Sequence, residues 1–418
     1  MQKYEKYKDS GVEWIGEIPE EWEVKKIGSQ FEERKEKVSD KEYEPLSVTK
    51  LGIVPRLESA AKSNAGDNRK KVCKDDFVIN SRSDRKGSSG VSNYRGSVSL
   101  ISIVLKPRNI EPSFIHYLFR SYAFQEEFYR YGKGIVDDLW STNYSEMKNI
   151  NIAIPSSIIH QQKIATFLDT KSKSIENFIK NKQKLIGLLE EEKKTIITNA
   201  VTRGVNPDVN YKKSGVERIG DTPEHWEIRR LKFCVNLINN EKSIKNSTQK
   251  YIGLENIESW TGKIIESSNF IEPDGVSKSF NKGNVLFSKL RPYLAKAFVA
   301  DFSGICTSEL LVFKTKLFKE SFLLMLYLNI KFINLVDSST YGSKMPRANW
   351  NFIGNILVSI PPLEEQQEIV TYIEQESKKI DDLKEKYQKE IDLIKEYKER
   401  IIYDVVTGKM NVQDYKIH

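Results

Sequence analysis

Residues Tyr7 to Ile27 read YKDSGVEWIGEIPEEWEVKKI, and Tyr211 to Leu231 read YKKSGVERIGDTPEHWEIRRL, with 12 of 21 positions identical. A chain that carries one phrase twice, 204 residues apart, is expected to fold that phrase twice. The duplication continues downstream. INIAIPSSIIHQQKI, from Ile150, returns as ILVSIPPLEEQQEI, from Ile356. Ile154-Pro155 matches Ile360-Pro361, and Gln161-Gln162 matches Gln366-Gln367 after a loop one residue shorter. A length of 418 residues leaves room for two such units, each with its own core.

Each junction runs into a long charged stretch with heptad spacing. Apolar or long side chains fall at Ile164, Leu168, Lys171, Ile175, Phe178, Lys182, Leu185, Leu189 and Ile196. In the second copy they fall at Ile369, Ile373, Glu376, Ile380, Leu383, Tyr387, Glu390, Ile394 and Ile401, at a constant offset of 205. Steps of 4, 3, 4, 3 predict a coiled-coil seam. About 40 residues at 1.5 Å each give a helix of about 60 Å. One helix cannot bury such a seam alone, so the expected partner is its own copy, antiparallel about a pseudo-twofold axis. The globules are then expected at opposite ends.

Between the frame segments lie short β-type runs broken by Gly, Ser and Asn, namely DDFVINSR (Asp75 to Arg82) and SVSLISIVL (Ser97 to Leu105). They align at an offset of 208 with GNVLFSKLR (Gly283 to Arg291) and GICTSELLVF (Gly304 to Phe313), and a helical segment follows in each case. The expected fold class is α+β: two homologous globular α/β domains separated by two long antiparallel coiled-coil helices in a pseudo-twofold internal repeat. The expected boundaries are 1–160, 161–205 for the central helix, 206–361, and 362–418 for the C-terminal helix.

Charge is concentrated in the two interiors. Ser47 to Arg108 holds 13 Lys/Arg against 5 Asp/Glu, and Gly275 to Arg347 holds 11 against 4. The two matched zones thus carry +8 and +7, and with +8 for the whole chain the remainder is mildly acidic, at −7. Two basic zones in corresponding places suggest two surfaces for a polyanion such as a nucleic acid, against the plainer role of keeping the surface solvated. Two similar but diverged heads suit a split DNA target, with phosphate contacts giving affinity and base-edge contacts giving sequence.

Several classes are disfavoured. No run of about 18 apolar residues signals a membrane span. The polar start MQKYEKYKDS lacks the apolar stretch of a secretory signal. The cysteines Cys73, Cys234 and Cys306 stand singly, without a CxxC pair, as ordinary thiols of a cytoplasmic protein. No GxxxxGK loop, Asn-Pro-Pro-aromatic tetrapeptide or glycine-rich S-adenosylmethionine loop is present, and the four histidines lack metal-ligand spacing. No catalytic residue and no metal ligand is assigned.

SGVEWIGEIPEEWEVKKI, the IPPLEEQQEI junction before a long helix, FSKLRPYLAKAF and GICTSELLVF together resemble the specificity subunit of type I restriction-modification systems. The resemblance covers essentially the whole chain, in order and twice. It departs from the tidiest pattern at Pro155-Ser156-Ser157, where the second copy has Pro361-Pro362-Leu363. It implies two target-recognition domains reading a bipartite DNA sequence, with no chemistry of their own. It implies two modification subunits as partners, which methylate adenine with S-adenosylmethionine, and restriction subunits, which use ATP and Mg. No cofactor is expected on this chain. The alternatives are a coiled-coil scaffold that binds proteins only, or a stand-alone DNA-binding protein.

Two loops per unit are the candidate DNA contacts. In the first unit, SRSDRKGSSGVSNYRG (Ser81 to Gly96) offers Arg82, Arg85, Lys86 and Arg95 for phosphates or guanines. Ser88, Ser89 and Asn93 offer short hydrogen bonds, and Tyr94 a surface for sugar. YGKGIVDDLWSTN adds Lys133 and Trp140, with Asp137 and Asp138 as acceptors for cytosine. The second unit offers Lys289, Arg291, Tyr293 and Lys296, then Ser343, Lys344 and Arg347. Trp22, Trp226, Gln161, Gln162, Glu364, Gln366 and Gln367 are candidate partner contacts in the frame, against the plainer roles of core packing and helix capping.

Overall fold

The computed structural model describes residues 2–56, 66–134, 140–243, 249–265 and 276–415. Two compact units emerge, one of Met1–Lys182 with Lys389–His418, the other of Gln183–Gln388.

In the first unit the repeated phrase forms a hairpin, Tyr7–Asp9 against Glu17–Pro19, and then a strand, Trp22–Lys26. That strand pairs antiparallel with Asn151–Pro155, setting Pro155 opposite Trp22. The two ends of the interior, residues 27–150, are thus sewn together directly before the long helix. The interior holds a four-stranded antiparallel sheet in the order Ser89–Val91, Phe77–Asn80, Ser102–Pro107, Phe31–Glu33. A three-stranded sheet of Gly96–Val98, Arg69–Val72 and Lys37–Val38 and a hairpin of Leu46–Thr49 with Gly52–Pro55 complete it.

The second unit repeats this plan. Tyr211–Lys213 pairs with Asp221–Pro223, and Glu227–Arg230 pairs with Leu357–Ile360. Its main sheet runs Val235–Ile238, Leu310–Thr315, Val285–Ser288, Ala297–Val299, the same order of equivalent strands read from the other edge. The runs SVSLISIVL and GICTSELLVF each make two strands rather than one. Ser102 N–H closes a turn on the Ser99 carbonyl at 3.0 Å, and the chain crosses from one sheet to the next. Gly96–Val98 and Ser102–Pro107 therefore lie in different sheets, as do Gly304–Thr307 and Leu310–Thr315. Between the sheets lie Val72, Val78, Val98 and Val104 in one unit, and Phe280, Leu286, Phe298 and Val312 in the other. The helical stretch after each run is also broken in two. Ser121 Oγ accepts from Phe124 N–H at 3.4 Å, and Asn329 Oδ1 from Lys331 N–H at 2.8 Å, each capping the second helix.

The long helices are Ile158–Arg203, 46 residues, and Leu363–Val406, 44 residues. Each contributes one part to each unit. In the first unit Glu176 pairs with Lys398 at 2.8 Å and Lys182 with Glu390 at 2.7 Å. In the second, Glu190 pairs with Lys384 and Lys193 with Asp381, both at 2.8 Å. Numbers rise on one helix as they fall on the other, so the pairing is antiparallel in both units. Glu176–Lys398 and Asp381–Lys193 are repeat mates at offset 205, which places acid against base only in this direction. The heptad seam is buried at Ile164, Leu168, Ile175 and Ile401 in one unit and at Ile369, Ile373 and Ile380 in the other. Phe178, Leu185 and Leu383, expected as seam core, are instead 40–41 % exposed. Away from the globules two helices alone cover only one face of each other.

Both helices end on a glycine in the left-handed region, Gly204 (φ 75°) and Gly408 (φ 74°). The chain then turns back onto the repeated phrase. A Cβ on Gly204 would stand 3.2 Å from Trp226, and one on Gly408 would run into Pro19. After Gly408, Asn411 N–H donates to the Gln2 carbonyl at 2.9 Å and Val412 enters the first unit's core. Gly408→Ala therefore combines left-handed strain with a clash, and should cost the first unit about 1–3 kcal/mol. Urea unfolding followed separately for each unit checks this, and the second unit should be unaffected.

Candidate nucleic-acid interface

The strand Ser89–Val91 divides the first candidate loop into two groups. Arg82, Arg85 and Lys86 lie before it, and Asn93, Tyr94 and Arg95 lie in the turn after it, all but the half-buried Lys86 exposed. Ser88 and Ser89 are buried where the strand pairs with Ile79, so as placed they offer nothing to a ligand. This corrects the expectation for both serines.

The first group meets the second candidate loop. Arg82 and Lys133 both bridge to Ser141, and Ser83 N–H donates to the Trp140 carbonyl at 3.0 Å. Arg82, Arg85, Lys86 and Lys133 are thereby collected although up to 51 residues separate them. The second unit makes the same junction. Leu290 and Tyr341 bridge to Arg347, Arg291 N–H donates to the Pro346 carbonyl at 2.8 Å, and Ala348 N–H to the Lys289 carbonyl at 2.8 Å. Lys289, Arg291 and Tyr293 thus adjoin the loop that carries Ser343, Lys344 and Arg347. Asp137 and Asp138 lie outside the described residues.

Most of these cations hold weak partners. Arg82 and Arg85 share Asp84, at 3.0 and 3.7 Å, Lys86 meets Glu126, and Lys133 reaches Glu146 at 3.1 Å. Exposed pairs of this kind are worth about 0–1 kcal/mol, so a phosphate can displace the carboxylate. Arg95 donates to Tyr43 Oη at 3.0 Å and lies over its ring. Two side chains are fixed more firmly. Arg347 grips Glu309 through two nitrogens at 3.0–3.2 Å, and Lys296 Nζ donates to the Leu254 carbonyl at 2.6 Å. Lys296 is thereby spent within the fold.

Beside the first group lies a cleft of about 820 Å³ whose walls include Lys35, Lys70, Arg82, Trp140, Tyr144 and Lys148. Lys35 and Lys148 escaped sequence reasoning because neither sits in a glycine-rich loop. Only the pairing of Phe31–Glu33 to the edge of the main sheet brings Lys35 here.

The frame candidates divide by burial. Trp22 is 0 % and Trp226 1 % exposed, so both belong to the core and offer no surface to a partner as placed. Gln161 and Gln366 are buried latches. Gln161 Nε2 donates to the Pro155 carbonyl at 2.8 Å and its Oε1 accepts from Glu111 N–H at 2.9 Å. Gln366 repeats this on Pro361 and Lys319, at 2.9 and 2.7 Å. Gln162, Glu364 and Gln367 remain exposed. The helix starts also differ in one reciprocal exchange. Glu21 faces His160 at 3.8 Å in the first unit, whereas His225 faces Glu365 in the second, where Glu365 also accepts from Trp226 Nε1 at 2.6 Å.

His116 anchors the first unit's interior, with Arg120 Nη1 2.9 Å from its Nε2. Burial, reinforced by that guanidinium, pushes its imidazole down from 6.5 to about 4. The folded state therefore resists the proton that the unfolded chain accepts. Stability is full above about pH 6.5 and falls as the pH drops towards 4, by about 2–3 kcal/mol from this group. His116→Gln should flatten that part of the acid-unfolding curve of the first unit.

Among the described residues no group of three or more His, Cys, Asp or Glu is arranged to hold a metal ion, and no single helix is long and apolar enough to cross a membrane.

The comparisons with known proteins agree with this architecture. Residues 19–185 and 223–393 match the family model described as the type I restriction modification DNA specificity domain, one match per repeat. The EcoDI specificity subunit of Escherichia coli is 25 % identical over 69 % of this chain and 68 % of its own length. The MjaVIII specificity subunit of Methanocaldococcus jannaschii is 26 % identical over 95 % of both chains. A chain from a structural study of assembly and conformational transition in the type I R-M system aligns with a TM-score of 0.70 at 14 % identity, covering 94 % of this chain and 99 % of that one. The HsdS subunit from Thermoanaerobacter tengcongensis aligns at 0.55 and 15 %, covering 94 % and 98 %. These two show the fold. Two matches that together span most of the sequence place this chain in the type I restriction-modification DNA specificity family, whose members are recognition subunits rather than catalysts.

Proposed function

We propose that this chain reads a two-part double-stranded DNA sequence, one half through each unit, and recruits the subunits that act on it. The observation that carries the reading is the repeated junction. In both units two distant basic loops are stitched together, Arg82 and Lys133 through Ser141, and Leu290 and Tyr341 through Arg347. A scaffold that bound only protein has no need of two such collections.

The proposed partners are two modification subunits, which bring S-adenosylmethionine for adenine methylation, and restriction subunits, which bring ATP and Mg, in the cytoplasm. The exposed apolar residues of the long helices support recruitment, Phe178 and Leu393 in the first unit, Leu185, Leu188 and Leu383 in the second. The assembled complex should bind duplex DNA with log K falling steeply and linearly with log salt, by about 0.9 per phosphate contact. Binding by the modification subunits that is equally strong without this chain would refute the reading.

The long helices run unbroken through the boundary between the units. Four residues added to each lengthen them by about 6 Å, against 3.4 Å per base pair. The spacer between the half-sites is expected to change by about one to two base pairs. Methylation mapping of the lengthened variant measures it.

A further inference from the structure

We propose that Leu51 contacts a thymine methyl group in the half-site read by the first unit, with Lys50 on the neighbouring phosphate. This rests on the DNA-reading role proposed above and names one determinant within it.

Leu51 stands at the tip of the hairpin Leu46–Thr49/Gly52–Pro55 and is 89 % exposed, more than any other large apolar residue described. A single surface leucine is ordinary in itself. This one is held still. Thr49 Oγ1 donates to the Gly52 carbonyl at 2.9 Å and accepts from Leu51 N–H at 3.1 Å. Arg120 Nη2 reaches across 70 residues to donate to the Lys50 carbonyl at 2.5 Å. Gly52 takes φ 114°, and Gly90 has no Cβ where one would stand 3.1 Å from Gly52 Cα, so the hairpin packs closely on the main sheet. The fold thus fixes an apolar side chain in water at the end of a braced ribbon.

Its surroundings say what covers it. The segment that clamps the tip also supports the basic turn. Arg120 holds Lys50, Gln125 lies against Gly87, and Glu126 meets Lys86, which sits 5.8 Å over the exposed Tyr122 ring. The tip therefore shares its support with Lys86, in a zone carrying 13 basic against 5 acidic residues. That charge favours a nucleic acid over an apolar protein face. On a duplex, the base edges of the major groove present donors, acceptors and one apolar group, the C5-methyl of thymine. A two-stranded ribbon fits that groove, and leucine has no polar atom with which to read anything else.

The test uses the complete complex with its modification subunits. Once the methylated motif is mapped, each thymine on either strand is replaced in turn by deoxyuridine, which lacks only the methyl. Wild type should lose about 3- to 10-fold in affinity at one position, as expected for one buried methyl. Leu51→Ala should bind the thymine duplex correspondingly less well and show no further loss on deoxyuridine, while Leu51→Met retains the sensitivity. Indifference of wild type to every deoxyuridine, a motif half without thymine, or unchanged sensitivity in Leu51→Ala overturns the assignment. So does weakened binding of Leu51→Ala to the modification subunits, which makes the tip a protein contact. A complex with no sequence preference at all would remove the DNA-reading role itself, a separate outcome.

Discussion

Exchange of residues 232–355 for the matching interior of another family member is expected to change one half of the methylated motif and leave the other intact. The second unit has a core of its own, in which Phe287, Phe313, Tyr327 and Phe332 pack ring on ring within the interior. Much of the interior's attachment lies outside the exchanged segment, in the pairing of Glu227–Arg230 with Leu357–Ile360 and in buried Trp226, and the Gln366 latch reaches only backbone groups of the interior, at Leu317 and Lys319. The first unit builds a separate core around Phe31, Phe77, Phe119 and Phe124. Nothing in either core requires the other interior, so independent reading follows. Altered bases in both halves of the motif would contradict it.

Trp22→Ala is expected to destabilise the first unit by about 3–5 kcal/mol, the usual cost of emptying a large buried aromatic site. Trp22 meets Phe114, Tyr4 and His160 edge-on, and Gly408 is a glycine partly to let the returning chain pass it. Trp226→Ala should cost the second unit a similar amount. Phenylalanine separates the two sites. Among the described residues Trp22 Nε1 has no hydrogen-bond partner, whereas Trp226 Nε1 donates to Glu365. Trp226→Phe should therefore cost about 1 kcal/mol more than Trp22→Phe, because it leaves a carboxylate oxygen without its donor. A Trp22→Ala variant of normal stability that fails to bind modification subunits would restore the docking role that burial argues against.

The frame was legible in the sequence because its determinants are local and written twice. The phrase at Tyr7 and Tyr211, the Ile-Pro strand ends and the 205-residue helical register each announce an element, and acid at 176 and 381 facing base at 398 and 193 encodes the antiparallel direction. The interiors were less legible because their strands pair across distance. Nothing local to Ser81–Gly96 shows that Ser89–Val91 is an edge strand, so Ser88 and Ser89 read as loop residues although they are buried. The joining of Arg82 to Lys133, and of Lys289 to Arg347, depends on backbone bridges between segments more than 50 residues apart, with no periodic signal. The exposure of part of the seam has another reason. Heptad spacing records which face is apolar, not what covers it, and Phe178, Leu185 and Leu383 carry the pattern without the burial.

Whether this chain selects the DNA sequence on which its partners act is decided most directly by sequencing methylated adenines in cells with and without its gene. With the gene, the expected product is one interrupted motif, two short specific halves around an unspecified spacer. Without it, that motif should vanish while the modification subunits remain present. A motif that persists in its absence, or one that is continuous, would contradict the reading.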